Sequence, residues 1–143
     1  MDGHHARRGL EQAMILVDTN VLLDIYKADP IWMPWSLKQL RGSKALLATN
    51  MVVYAELAGH PGEPSKLDIF LKHLDVEVCE LTRPAALLAG KAFREYRQRG
   101  GTKTGVLPDF FIGAHAQAEG FKLLTRDAGR YKTYFPKIKL ICP

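Results

Sequence analysis

The chain has 143 residues, 47% of them hydrophobic and 24% charged, with a formal net charge of +5. That length suits one domain burying roughly two-thirds of its extended-chain surface, and the composition is ordinary for a soluble globular protein. No apolar stretch approaches the roughly 20 residues that span a bilayer, and the polar start lacks the apolar core of a secretory signal.

Residues 1–13 (MDGHHARRGLEQA) read as an expression remnant or a disordered extension, because Met14 opens the first strand-like run. Removing them leaves the net charge unchanged, since Arg7 and Arg8 balance Asp2 and Glu11. Residues 14–143 are predicted to form the folded domain. The apolar run 14–17 reads as a buried first strand, and a helix follows near Asn20–Lys27. Ala28-Asp29-Pro30 ends it, and Pro34 suits the first turn of a short helix reaching about Arg41. Ala45–Ala48 reads as strand two, with Thr49 or Asn50 capping a helix that runs toward Gly59. Two prolines mark the loop 60–64, and Ser65 begins a helix to about His73. Val76–Leu81 is the third strand.

The clearest helix spans Pro84 to about Arg99. Ala85, Leu88, Ala89, Ala92, Phe93 and Tyr96 form one apolar stripe at 3.6-residue spacing, with Lys91, Arg94 and Arg97 opposite, as on a solvated face. Gly100-Gly101 breaks it. A helix from about Pro108 to Glu119, ended by Gly120, precedes a strand at Lys122–Leu124, a short helix at Asp127–Tyr134 and a last strand at Ile138–Cys142. Strands alternating with helices predict one three-layer α/β/α domain around a mainly parallel central sheet. Cys79 and Cys142 lack a C-x-x-C spacing, so they are expected to be buried, reduced thiols in a cytoplasmic protein. Trp32 and Trp35 are expected to pack locally on their short helix.

Four acids carry the chemical information: Asp18, Glu56, Asp109 and Asp127. Singly, Asp18 and Asp127 suit helix N-caps, Asp109 a first-turn acid, and Glu56 a solvated helix face. Jointly they point elsewhere. Three follow apolar runs or open helices, and the carboxyl ends of parallel strands share one crevice. Carboxylates gathered there repel one another unless a cation or protons offset them. Asn20 and Thr125 stand beside these acids as neutral donors and acceptors. A basic remainder around an acidic centre suits a polyanion. Phosphate cradles of the G-x-G-x-x-G and P-loop kinds are missing, as is a nucleophile elbow. The histidines show no metal-ligand pairing, and His115 reads as a core or surface residue.

Four segments together resemble the PIN-domain ribonucleases, and within them the VapC-type toxins of toxin–antitoxin pairs. They are Leu16-Val17-Asp18-Thr19-Asn20-Val21-Leu22-Leu23-Asp24, Val53-Tyr54-Ala55-Glu56-Leu57, Pro108-Asp109-Phe110-Phe111-Ile112-Gly113-Ala114-His115-Ala116 and Leu124-Thr125-Arg126-Asp127. The resemblance runs from Met14 to the C-terminus and leaves only the tryptophan-bearing stretch 30–36 unplaced. It implies that Asp18, Glu56, Asp109 and Asp127 form a catalytic, metal-binding quartet around Mg²⁺ or Mn²⁺, with Asp18 and Asp109 foremost and Asn20 and Thr125 supporting. It further implies an RNA substrate cut by hydrolysis to 5′-phosphate and 3′-hydroxyl ends, a homodimer, and a cognate antitoxin lying over the acidic groove. Three other readings stand beside it: a PIN nuclease of RNA maturation, a non-catalytic RNA-binding module, and a haloacid-dehalogenase-like phosphatase. The last needs a second Asp two residues beyond Asp18, where this chain has Asn20.

Overall fold

The structure, a computed structural model, describes residues 14–143. The extension expected at residues 1–13 lies outside the described residues. Five strands form one sheet: β1 (Ile15–Val17), β2 (Leu47–Asn50), β3 (Val76–Cys79), β4 (Lys122–Leu124) and β5 (Leu140–Ile141). Their order is β3-β2-β1-β4-β5, and every pairing is parallel. Ile15, Leu16 and Val17 of the central strand are all buried. A strand covered on both faces needs apolar residues without alternation, which explains the unbroken run in the sequence.

Seven helices connect the strands among the described residues: α1 (Thr19–Tyr26), α2 (Met33–Arg41), α3 (Met51–Ala58), α4 (Pro64–His73), α5 (Arg83–Gln98), α6 (Leu107–Glu119) and α7 (Gly129–Tyr134). The path steps from β1 outward to β2 and β3, then crosses back to β4 and β5. Because such crossovers are right-handed, the two directions put their helices on opposite faces. The contacts agree: α1 packs on α2 and α3, whereas α5 packs along α6 and α6 against α7. The result is the expected three-layer α/β/α domain.

Several boundaries differ from expectation. Strand two occupies Leu47–Asn50 rather than 45–48. Ala45 and Leu46 lie at the rim, where the Ala45 N–H donates to Ser43 Oγ. Thr49 and Asn50 are polar yet wholly buried, because each is satisfied: Thr49 Oγ1 donates to the Val17 carbonyl at 3.1 Å, and Asn50 Oδ1 accepts from the Val52 and Val53 N–H groups at 3.0 Å. An apolar-run criterion passes over such residues. Strands three and five are shorter than expected, and the last helix starts at Gly129, with Asp127 Oδ1 accepting the Gly129 N–H just before it. Cys79 is half-buried and Cys142 exposed beyond the last strand, which corrects the expectation of two buried thiols.

An aromatic cluster joins the helices of one face. Phe110 of α6 meets Phe93 and Tyr96 of α5, and Tyr134 and Phe135 at the end of α7, with ring centroids 5.1–6.2 Å apart. Edge-to-face contacts of this kind add about 1 kcal/mol each to the apolar burial. Gly113 of α6 lets α7 approach, since a Cβ there would fall 2.5 Å from the Phe135 ring. Asp109 and α7 are thereby held in a fixed relation.

Candidate active site

The strand order reverses at β1, with β2 on one side and β4 on the other. In open α/β sheets, ligand crevices lie at this switch point, beyond the carboxyl ends of the strands. Val17 pairs with Leu124, and the Asp18 N–H donates to the Leu124 carbonyl at 2.9 Å, so Asp18 and Thr125 leave adjacent strands side by side. Asp18 caps α1, its Oδ1 accepting the Thr19 N–H at 2.7 Å. Its Oδ2 accepts from the Thr125 hydroxyl at 2.8 Å and from the Tyr131 phenol at 2.9 Å.

A cavity of about 230 Å³ opens here. Asp18, Glu56, Asp109 and Asp127 all line it, with Thr19, Asn20, Leu23, Arg130 and Tyr131. Glu56 Oε1 accepts the Thr19 hydroxyl at 2.6 Å, and Asp109 Oδ2 pairs with Arg130 Nη1. Asn20 spans the strand ends: its Nδ2 donates to Thr125 Oγ1 at 3.3 Å and its Oδ1 accepts the Arg126 N–H at 3.2 Å. The helices bearing Glu56 and Asp109 are tied together by Asn50 and His115, with 3.0 Å between Asn50 Nδ2 and His115 Nδ1. Burial holds the His115 imidazole below its usual range, so Nδ1 stays free to accept that bond. His115 is therefore a core residue and not a ligand.

Thr19, Arg130 and Tyr131 are cavity residues that the sequence reading did not single out. Within the helix expected at Asp127–Tyr134, Arg130 and Tyr131 follow Asp127 by three and four residues, the spacing that puts helical side chains on one face, although the observed helix starts at Gly129. That signal was present in the chain. The tryptophan stretch also finds its place. Arg126 makes a two-pronged ion pair with Asp24, at 2.7 and 3.0 Å, and its guanidinium lies 4.8 Å from the Trp32 ring centre. Ser36 Oγ donates to the same Asp24 carboxylate at 2.7 Å, and Trp35 stands edge-on to Trp32. Trp32 and Trp35 pack locally, as expected.

Burial pushes the Asp18 carboxyl up to about 6; bonds from Thr125 and Tyr131 pull it down, and the Asp109 charge pushes it further up. Burial also raises Asp109 despite Arg130, and the charge of Asp127 adds to the rise. The Tyr131 phenol is pushed well above 10 by burial and by the acids around it. The four acids that line the cavity offer only oxygen donors, the chemistry that a hard divalent cation takes. Among the described residues, no three Asp, Glu, His or Cys side chains lie close enough to hold one metal ion between them. The quartet therefore shares a cavity without closing on a common point. Each carboxylate has its own hydrogen-bond partner.

The Asp18 shift has a testable consequence. Its folded-state carboxyl titrates at about 6 against 3.8 for an ordinary Asp, so between those values the folded chain holds more protons than the unfolded one. Stability attributable to this group falls as pH rises from about 4 to about 6, and stays low above. Asp18→Asn cannot ionise. In metal-free buffer, its stability relative to wild type is expected to improve by about 2–3 kcal/mol across that window, the worth of a shift of about two pH units. Urea unfolding at pH 4 and pH 7 measures it, and a flat difference rules out Asp18 as the titrating group.

A family model for the PIN domain matches residues 15–136, nearly the whole described chain. The chain belongs to the PIN domain family. No curated protein matches it. Among solved structures, this PIN domain is similar to VapBC2 from Rickettsia felis, solved with a DNA fragment from its promoter (TM-score 0.69, 24% identity, 91% of this chain and 98% of that one). It is similar as well to VapBC-1 from nontypeable Haemophilus influenzae (0.68, 20%, 90% and 97%). A toxin–antitoxin complex from Klebsiella pneumoniae is a third (0.65, 20%, 89% and 95%). At these identities the likeness carries the fold. The PIN domain's four acidic positions therefore rest on the cavity geometry.

Proposed function

We propose that this PIN-domain protein is a metal-dependent endoribonuclease of the VapC type, the toxin of a toxin–antitoxin pair. The observation that carries the reading is the meeting of four carboxylates, from four separate segments, in one cavity at the strand ends. Asp18 and Asp109 would be the first ligands of Mg²⁺ or Mn²⁺, with Glu56 and Asp127 completing the acidic wall. A bound divalent cation would offset the charge of the phosphate and acidify the attacking water.

The protein's own groups set the stage for that chemistry. Thr125 and Tyr131 both donate to Asp18 Oδ2, which aims the carboxylate and leaves its charge partly uncompensated. Asn20 fixes Thr125 and the backbone at Arg126, and Thr19 orients Glu56. Asn20 has an amide in the position where a haloacid-dehalogenase-like phosphatase needs a second Asp, which disfavours that alternative. The similarity to toxin–antitoxin structures supports a cognate antitoxin as partner, and a homodimer is the assembly that the family resemblance implies. An RNA substrate fits the net charge of +5, and with it a cytoplasmic setting.

The direct test incubates the purified protein with tRNA, rRNA and mRNA in Mg²⁺, Mn²⁺ or EDTA. Cleavage is expected with either metal and none in EDTA, leaving 5′-phosphate ends. RNA bound in metal but uncut across all substrates makes the protein a binding module, and a phosphoryl group trapped on Asp18 makes it a phosphatase.

A further inference from the structure

Two arginines four residues apart in this chain are held in opposite ways. Arg126 is locked: it grips the buried Asp24 with two nitrogens and lies against Trp32. Arg130 is tethered at one point only, through Nη1 to Asp109 Oδ2, and its side chain and that of Asp109 are 30% and 36% exposed. Among the described residues it is also the one basic side chain lining the acidic cavity. A single-contact, part-exposed ion pair is weak and readily exchanged, whereas a forked pair on a buried carboxylate is not.

Resting on the metal-nuclease reading above, we propose that Arg130 is a two-position catalytic residue. Without metal it neutralises Asp109, and when a divalent cation takes that carboxylate it turns to the RNA phosphate at the cavity. The cation and the guanidinium compete for the same oxygen, and like charges in one small cavity repel. The phosphate offers the released guanidinium a planar pair of acceptors that matches its fork. Arg130 stands three residues after Asp127 and next to Tyr131, which itself reaches Asp18, and all of these side chains line the same cavity. Asp109 Oδ2, the carboxylate oxygen that a cation would take, is the one Arg130 holds.

The proposal predicts opposite signs for two measurements on one variant. Arg130→Gln is expected to bind Mn²⁺ at least about 3-fold more tightly than wild type, by titration calorimetry without RNA. The same variant is expected to cleave RNA with kcat/KM reduced at least about 10-fold. Arg130→Lys keeps a charge but loses the fork, so its metal affinity should stay near wild type while cleavage falls between the two. Equal or weaker Mn²⁺ binding by Arg130→Gln, or cleavage at the wild-type rate, overturns the proposal. Asp109→Asn separates the two levels of inference. If wild type binds no Mn²⁺, or Asp109→Asn binds it as wild type does, the metal reading fails and takes this one with it. If Asp109→Asn loses binding while Arg130→Gln matches wild type, only the Arg130 proposal falls.

Discussion

Asp18→Asn and Asp109→Asn are each expected to lower metal-dependent RNA cleavage by at least about 10²-fold, the scale of losing one catalytic electrostatic element. Both side chains remain nearly isosteric, so the cavity keeps its shape while one negative charge is removed. Asp18 is buried at the end of the central strand and receives three hydrogen bonds, from the Thr19 N–H, Thr125 and Tyr131. Its carboxylate is held in place at a cost, because burial opposes its charge. Such a cost persists where surrounding structure over-determines the residue. An amide there relieves the cost and removes the ligand. The Asp18→Asn protein should therefore be the more stable and the less active of the pair at neutral pH. That combination separates a functional carboxylate from a merely structural one. Asp109→Asn removes the charge that Arg130 now pairs with, and a loss of cleavage with retained thermal unfolding is the expected pattern. Cutting at the wild-type rate by both variants ends the nuclease assignment to this cavity.

Arg126→Ala is expected to destabilise the fold by about 3 kcal/mol or more, the cost of leaving one member of a buried ion pair alone. Asp24 is 3% exposed and, among the described side chains, is otherwise met by Ser36 alone, so its charge would be stranded in the interior. The loss extends further than one pair. Arg126 covers Trp32, and its backbone N–H holds Asn20, which in turn holds Thr125 beside Asp18. Removing the guanidinium loosens the tryptophan stretch, while the backbone N–H that holds Asn20 is kept by alanine. Chemical denaturation should show the stability loss. Arg126→Ala with Asp24→Asn should recover part of it, because the double change removes the stranded charge. A loss of only a few tenths of a kcal/mol in Arg126→Ala would mean that the pair is screened by solvent and organises nothing.

Asp18, Asp109 and Asp127 stood out in the chain because they follow apolar runs or open helices, whereas Glu56 lies inside its helix and was singled out with them only by the joint pattern. Their partners were less legible. Tyr131 lies 113 positions from Asp18, and only the parallel pairing of β1 with β4 brings them within 2.9 Å. The second strand was displaced by two residues because Thr49 and Asn50 are buried polar groups, satisfied by bonds that no local pattern announces. Arg126 and Arg130 look alike in sequence. One became a clamp and the other a single-point tether because Asp24 is buried and Asp109 is part-exposed at the cavity.

From the residues alone follow the alternation of strands and helices, the extents of the longer helices, and the candidacy of Asp18, Glu56, Asp109 and Asp127. These are matters of local hydrophobic spacing and helix chemistry, which act over a few residues. The tertiary structure alone decided that the four acids share one cavity, which hydroxyl serves which carboxylate, and which arginine is clamped on a buried acid. Those outcomes depend on strand order and on burial, and both are set by contacts between residues a hundred positions apart.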